Sequence, residues 1–210
     1  MLCLKGTTVL RTILYALLAY LSGSVLYAQI FARLFHKPDL IERSNDHNPG
    51  TANAFQYGGF WCGVLTLVCD LLKGFIPVFV FLAGPKPDPI ACALVLAAPV
   101  IGHAFPVFYR FQGGKGIAVT FGCLLGLIPI WQPVATLAMY FILFSVVLQI
   151  SPHFYRTLVA YLCALVHMIF IVKIPAIWMG FLVISGVVLL RLHMSKEQRE
   201  QIEVKWVWTR

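Results

Sequence analysis

Residues 102–116 read Gly-His-Ala-Phe-Pro-Val-Phe-Tyr-Arg-Phe-Gln-Gly-Gly-Lys-Gly, a short polar loop set between long apolar runs. Gly113, Gly114 and Gly116 give the backbone conformations that other residues resist. Successive amides can then converge on one point and form an anion nest beside the Lys115 ammonium. The apolar run that follows predicts a helix N-terminus at the same point, which also favours an anion. The loop therefore predicts a phosphate-like group held at a membrane surface.

Composition puts the loop in a membrane protein. Of 210 residues, 60% are hydrophobic and only 11% charged, where soluble domains have about 45–50% and about 25%. No polar linker divides the chain, so residues 1–210 are expected to form a single integral-membrane domain, with 193–210 as a cytoplasmic tail. The apolar stretch after Arg11 is longer than a signal-peptide core, so a cleaved signal is not expected. The expected fold is all-α and polytopic, with about seven transmembrane helices. They fall near 9–33, 57–83, 89–108, 116–130, 132–150, 157–173 and 175–192, on the rule that roughly 17–25 apolar residues cross the bilayer.

Lys and Arg placement orients the bundle. Eleven of the 16 basic residues fall on the side of the tail, four fall opposite, and Lys73 lies within a span. The expectation is a C-terminus in the cytoplasm and an N-terminus outside. The net charge of +8 then reads as positive-inside bias rather than as a nucleic-acid surface. Six cysteines lie in or near apolar spans without a C-x-x-C pair and are read as packing residues. Nothing in the sequence demands a metal or a cofactor.

The chemistry is expected in the cytoplasmic loops. The longest, 34–56, is rich in small polar residues and contains the turn Asn48-Pro49-Gly50. It falls on the same side as Gly-Gly-Lys-Gly, which suggests a shared site; a plain hydrated loop is the other reading. Asp70 and Lys73 lie within a span at a spacing of three, which puts them on one helix face. Each charge costs roughly 2.5–3.5 kcal/mol at the bilayer centre, so they should pair inside the bundle. The pair is either structural or lines the site. His103 stands 12 positions before Lys115 and is either a packing residue or part of the site. His167 reads as packing, while His47 and His193 can reach a substrate from the loop and the tail.

In order along the chain, these motifs resemble the bacterial acyl-phosphate-dependent glycerol-3-phosphate acyltransferases. Gly23-Ser24 ends the first span as in that family. Asn48-Pro49-Gly50-Thr51-Ala52-Asn53 resembles its Asn-Pro-Gly-Ala-Thr-Asn loop, and Asp70-Leu71-Leu72-Lys73-Gly74 its Asp-x-x-Lys-Gly. Gly102-His103 through Gly116 is similar to its Gly-His-x-x-Pro-Val-Phe…Gly-Gly-Lys-Gly block. The resemblance implies a bacterial cell-membrane enzyme that moves a fatty acyl group from acyl phosphate to glycerol 3-phosphate, giving lysophosphatidic acid and phosphate. It implies catalytic roles for Lys115 and His103. It implies substrate binding by Ser24, Asn48, Gly50, Thr51, Asn53, Asp70, Lys73, Gly113, Gly114, Gly116 and His193. The general base is either His103 or a substrate phosphate.

The chain departs from the family pattern in three places. Asn45-Asp46-His47 replaces Gly-Ser-Gly, Gln56 stands near an expected arginine, and Arg191-Leu192-His193 is a shifted remnant of a C-terminal Arg-His-Arg-Glu-Asn. Asp46 sets a negative charge where a phosphate-binding serine is expected. A paralogue with a different acceptor therefore stays open, as do a transporter and a non-catalytic scaffold. Coenzyme A-dependent acyltransferases are discounted, because no histidine here has an aspartate five positions on.

Overall fold

The structure is a computed structural model that describes residues 2–195 and 201–208, with side chains from Thr8 onward. The tail charges Lys196, Arg199 and Arg210 lie outside the described residues. The chain is mostly helical. Helix α1 (Leu2–Gly23) breaks at Ser24–Leu26 and resumes as α2 (Tyr27–Leu34). Two short helices, α3 (Leu40–Arg43) and α4 (Thr51–Gly58), carry the polar loop, and α5 (Phe60–Ala83) and α6 (Pro89–Ala104) follow. A 3-10 turn at Val107–Tyr109 leads to the glycine loop and α7 (Ile117–Leu125). Next come α8 (Gln132–Ile142), a π turn (Leu143–Val147), strand β1 (Leu148–Ser151), α9 (His153–Ile171), α10 (Pro175–Met194) and strand β2 (Glu203–Trp206).

Among the described residues, five segments are long and apolar enough to cross a membrane: Thr8–Leu34, Phe60–Ala83, Pro89–Tyr109, His153–Ile171 and Pro175–Met194. The expected fourth and fifth spans are shorter. Helix α7 has nine residues, about 13 Å of rise against about 30 Å of hydrocarbon. Helix α8 with its π turn covers Gln132–Val147. The tail also differs from a plain polar extension, because β2 pairs antiparallel with β1, Leu148 opposite Trp206.

Helix α6 is the centre of the bundle. Asp88 caps its start by accepting from the Ile90 and Ala91 amides, both at 3.0 Å, and Pro89 occupies the first turn, where no amide is needed. Small residues line it, so α1 and α10 pack closely on either side. A Cβ on Gly102 would lie 2.1 Å from the Tyr20 carbonyl oxygen, and one on Gly23 would lie 2.1 Å from that of Pro99. Helices α5 and α7 meet the same way at Gly74 and Gly122. Dispersion and close backbone approach hold such bundles in lipid, which is as apolar as the side chains. Gly63 and Gly126 pack against Phe55 and against Phe75 and Val78, while Gly186 faces open space. Leu96, Val100, Val119, Leu124, Leu137, Tyr161 and Phe181 form the main core, with Tyr161 and Phe181 stacked at 5.7 Å. Leu10, Leu14, Leu17, Phe79, Val166, Phe170 and Leu182 point outward as a lipid-facing surface.

Candidate functional site

Lys73 joins the pieces of the site. It sits on α5 beside the α1–α2 break, where carbonyls lack helical partners. Its ammonium donates to the Val25 carbonyl at 2.7 Å, contacts Asp70 Oδ1 at 2.8 Å and lies 2.9 Å from His103 Nδ1. Asp70 and Lys73 are both buried, as two charges in an apolar span require. The second Asp70 oxygen accepts from Thr51 Oγ1 at 3.2 Å, so the chain of contacts runs from His103 to the N-terminus of α4.

The glycine loop wraps His103. The Gly114 amide donates to the His103 carbonyl at 3.0 Å. A Cβ on Gly113 would fall 1.9 Å from that carbonyl oxygen, and one on Gly114 would fall 2.3 Å from His103 Nε2. Close approach therefore demands glycine at both positions, and neither has a positive φ. Only Gly116 does, at +80°, where it caps α7. Left-handed strain sits just upstream instead, at Arg110 (φ 51°) and Phe111 (φ 60°). Arg191 of α10 clamps the loop from outside by donating to the Gly113 carbonyl.

The polar loop reaches the same point. Asp46 Oδ2 pairs with Lys115 Nζ at 3.0 Å, with side chains 14% and 7% exposed. Asp46 Oδ1 accepts from Asn53 Nδ2 at 2.8 Å and from the Asn48 amide at 3.2 Å. Burial alone would push the Asp46 carboxyl up, but the Lys115 charge and these donors outweigh it and hold it below the usual carboxylate range.

Two cavities adjoin here. One, of about 360 Å³, is polar and includes Gln29, Asp46, His47, Gln112, Gly113, Gly114 and Arg191 in its wall. The other, of about 350 Å³, combines Gly50, Thr51, Asp70, His103, Gly116 and His153 with the apolar Leu67, Ile117, Ala118 and Phe121. Asn48 and Lys115 belong to both walls. Asn53 and Lys73 stand behind the walls, holding Asp46 and His103 respectively.

Two expected residues lie elsewhere. Ser24 is fully buried where α1 crosses α6, and its hydroxyl donates to the Tyr20 carbonyl at 2.9 Å. It lines neither cavity. His193 is exposed and lines neither, because α10 turns that position outward; its neighbours Met194 and Ser195 line the polar cavity. His167 packs edge-on against Tyr140 as read. The sequence reading missed Arg191, Gln29 and Gln112 in the polar cavity and His153 in the other. His153 opens α9 beside Arg156, whose guanidinium lies 2.8 Å from its Nδ1. A histidine beginning a span on the loop side was the available signal.

The fold and site define an integral membrane protein of packed apolar helices with a two-chambered site, one chamber polar and the other partly apolar. The glycerol-3-phosphate acyltransferase family model matches residues 13–200. The chain belongs to that family. It is 44% identical over 109 residues to a glycerol-3-phosphate acyltransferase of Actinobacillus pleuropneumoniae serotype 5b (strain L20), covering 52% of this chain and 55% of that one. It is 36% identical over 166 residues to that of Vibrio campbellii (strain ATCC BAA-1116), covering 70% and 80%. The chain thus spans about half the length of the first of these relatives. It is also similar to the crystal structure of PlsY (YgiH), an integral membrane glycerol 3-phosphate acyltransferase, in its glycerol 3-phosphate form. The TM-score is 0.75 at 25% identity, over 87% of this chain and 88% of that one.

Proposed function

We propose that this single membrane domain transfers a fatty acyl group from acyl phosphate to glycerol 3-phosphate. The observation that carries the reading is the pair of cavities that share Lys115 and Asn48. Each substrate of this reaction bears a phosphate, and each cavity presents the same lysine. The polar cavity suits glycerol 3-phosphate. The cavity lined by Leu67, Ile117, Ala118 and Phe121 suits a donor whose chain lies among apolar helices. The relatives' names support the acceptor.

Acyl phosphate is an activated anhydride with a good leaving group, so attack by a bound hydroxyl needs alignment and charge stabilisation more than a protein nucleophile. Lys115 and the Gly113–Gly116 segment hold phosphate and offset the charge that develops. Lys73 is an ammonium donor, so His103 Nδ1 accepts from it. In neutral imidazole the proton then sits on Nε2. His103 therefore offers the site a hydrogen-bond donor, and of the two candidate bases the substrate phosphate is favoured. The placement of Lys and Arg supports a site on the cytoplasmic side, with the N-terminus outside.

The test is to incubate membranes carrying the chain with palmitoyl phosphate and labelled glycerol 3-phosphate, beside membranes without it. Chain-dependent lysophosphatidic acid is the expected result. Chain-dependent loss of palmitoyl phosphate without that product would favour the different-acceptor reading, which Asp46 motivates. The absence of both product and loss would overturn the acyltransferase reading.

A further inference from the structure

Asp46 stands where the reaction needs an anion. Its carboxylate takes an ammonium from Lys115, an amide from Asn53 and a backbone N–H from Asn48. A cation with converging N–H donors is the set that binds a phosphate oxygen cluster. The carboxylate is held in the wall of the polar cavity, on the face of Lys115 that this cavity shares. It rides on a short loop. The Ser44 hydroxyl closes one side by donating to the Ile41 carbonyl at 2.7 Å, and His47 closes the other in a left-handed conformation (φ 49°).

We infer that Asp46 is an internal counter-anion that competes with substrate phosphate for Lys115 and so sets the phosphate affinity of the polar cavity. The inference rests on the reading of Lys115 as a phosphate ligand. A phosphate entering the cavity displaces the carboxylate or shares the lysine with it at close range. Like charges at such a distance repel strongly in a partly buried site. Either route weakens phosphate binding relative to a chain with a neutral residue at 46. The anion seat is thus filled until a doubly charged competitor arrives, and singly charged anions are disfavoured.

The inference is tested on the purified full chain in detergent, with inorganic phosphate as the probe and titration calorimetry as the readout. Asp46→Asn removes the charge and keeps an oxygen to accept from Asn53. Asp46→Ser removes the carboxylate altogether. Both are expected to bind phosphate at least tenfold more tightly than the unmodified chain. Adding Lys115→Ala to Asp46→Asn is expected to cancel the gain. Unchanged or weaker phosphate binding by a folded Asp46→Asn protein overturns the inference. So does a failure of Asp46→Asn to fold, because the pair is then a structural strut. Phosphate binding requires no acyl transfer, so this result stands or falls separately from the assay of the reaction.

Discussion

Lys115→Ala is expected to lower acyl transfer about 10²–10³-fold, the loss found when one preorganised donor to a developing charge is removed. The lysine is almost fully buried, fixed by Asp46 and common to both cavities. The truncation also leaves Asp46 without its counter-charge beside the incoming phosphate, so binding and chemistry should both suffer. The check is the initial rate at saturating palmitoyl phosphate and glycerol 3-phosphate, with thermal unfolding to show that the variant is folded. Turnover near that of the unmodified chain would remove Lys115 from the role given to it.

Lys73→Met is expected to have the largest effect on stability, about 3–5 kcal/mol, the usual cost of leaving one partner of a buried ion pair uncompensated. The Asp70 and Lys73 side chains are each 2% exposed, so solvent cannot stand in for the missing charge. The same truncation releases the Val25 carbonyl at the α1–α2 break and the donor to His103. Combining it with Asp70→Asn should recover a large part of the loss, because no unpaired charge then remains. Thermal unfolding of the two single variants and the double in detergent gives the coupling directly. Additive losses would mean that the pair does not act as a unit.

This pair was legible in the sequence, since two charges three residues apart in an apolar span have few arrangements that avoid lipid. The glycine loop was legible too, although the reason for two of its glycines was not. Local sequence suggests backbone freedom, whereas the structure shows His103 pressed against Gly113 and Gly114 from a helix ten residues upstream. The count of seven spans is not confirmed for a related reason. Leu127, Ile128 and Ile130 continue the apolar run after α7, but they form a turn around Pro129, and hydropathy does not distinguish an apolar turn from an apolar helix. Ser24 was carried by motif position alone and His193 by its place in the tail, and tertiary packing directs one to α6 and the other outward. Asp46 read as an obstacle because its partners, Asn53 and Lys115, converge from two separate segments, and only the fold brings them together. Strand β2 pairs with a strand more than fifty residues away, a contact with no local signature.

The wall common to both cavities has a kinetic consequence. With Lys115 and Asn48 between two chambers, neither substrate must leave before the other enters, and no protein side chain need carry the acyl group between them. Initial rates taken at several fixed donor concentrations should therefore give reciprocal plots that intersect rather than run parallel. Donor alone should yield no burst of released phosphate. Parallel lines would mean that the chambers fill in turn and that the chain itself is acylated on the way.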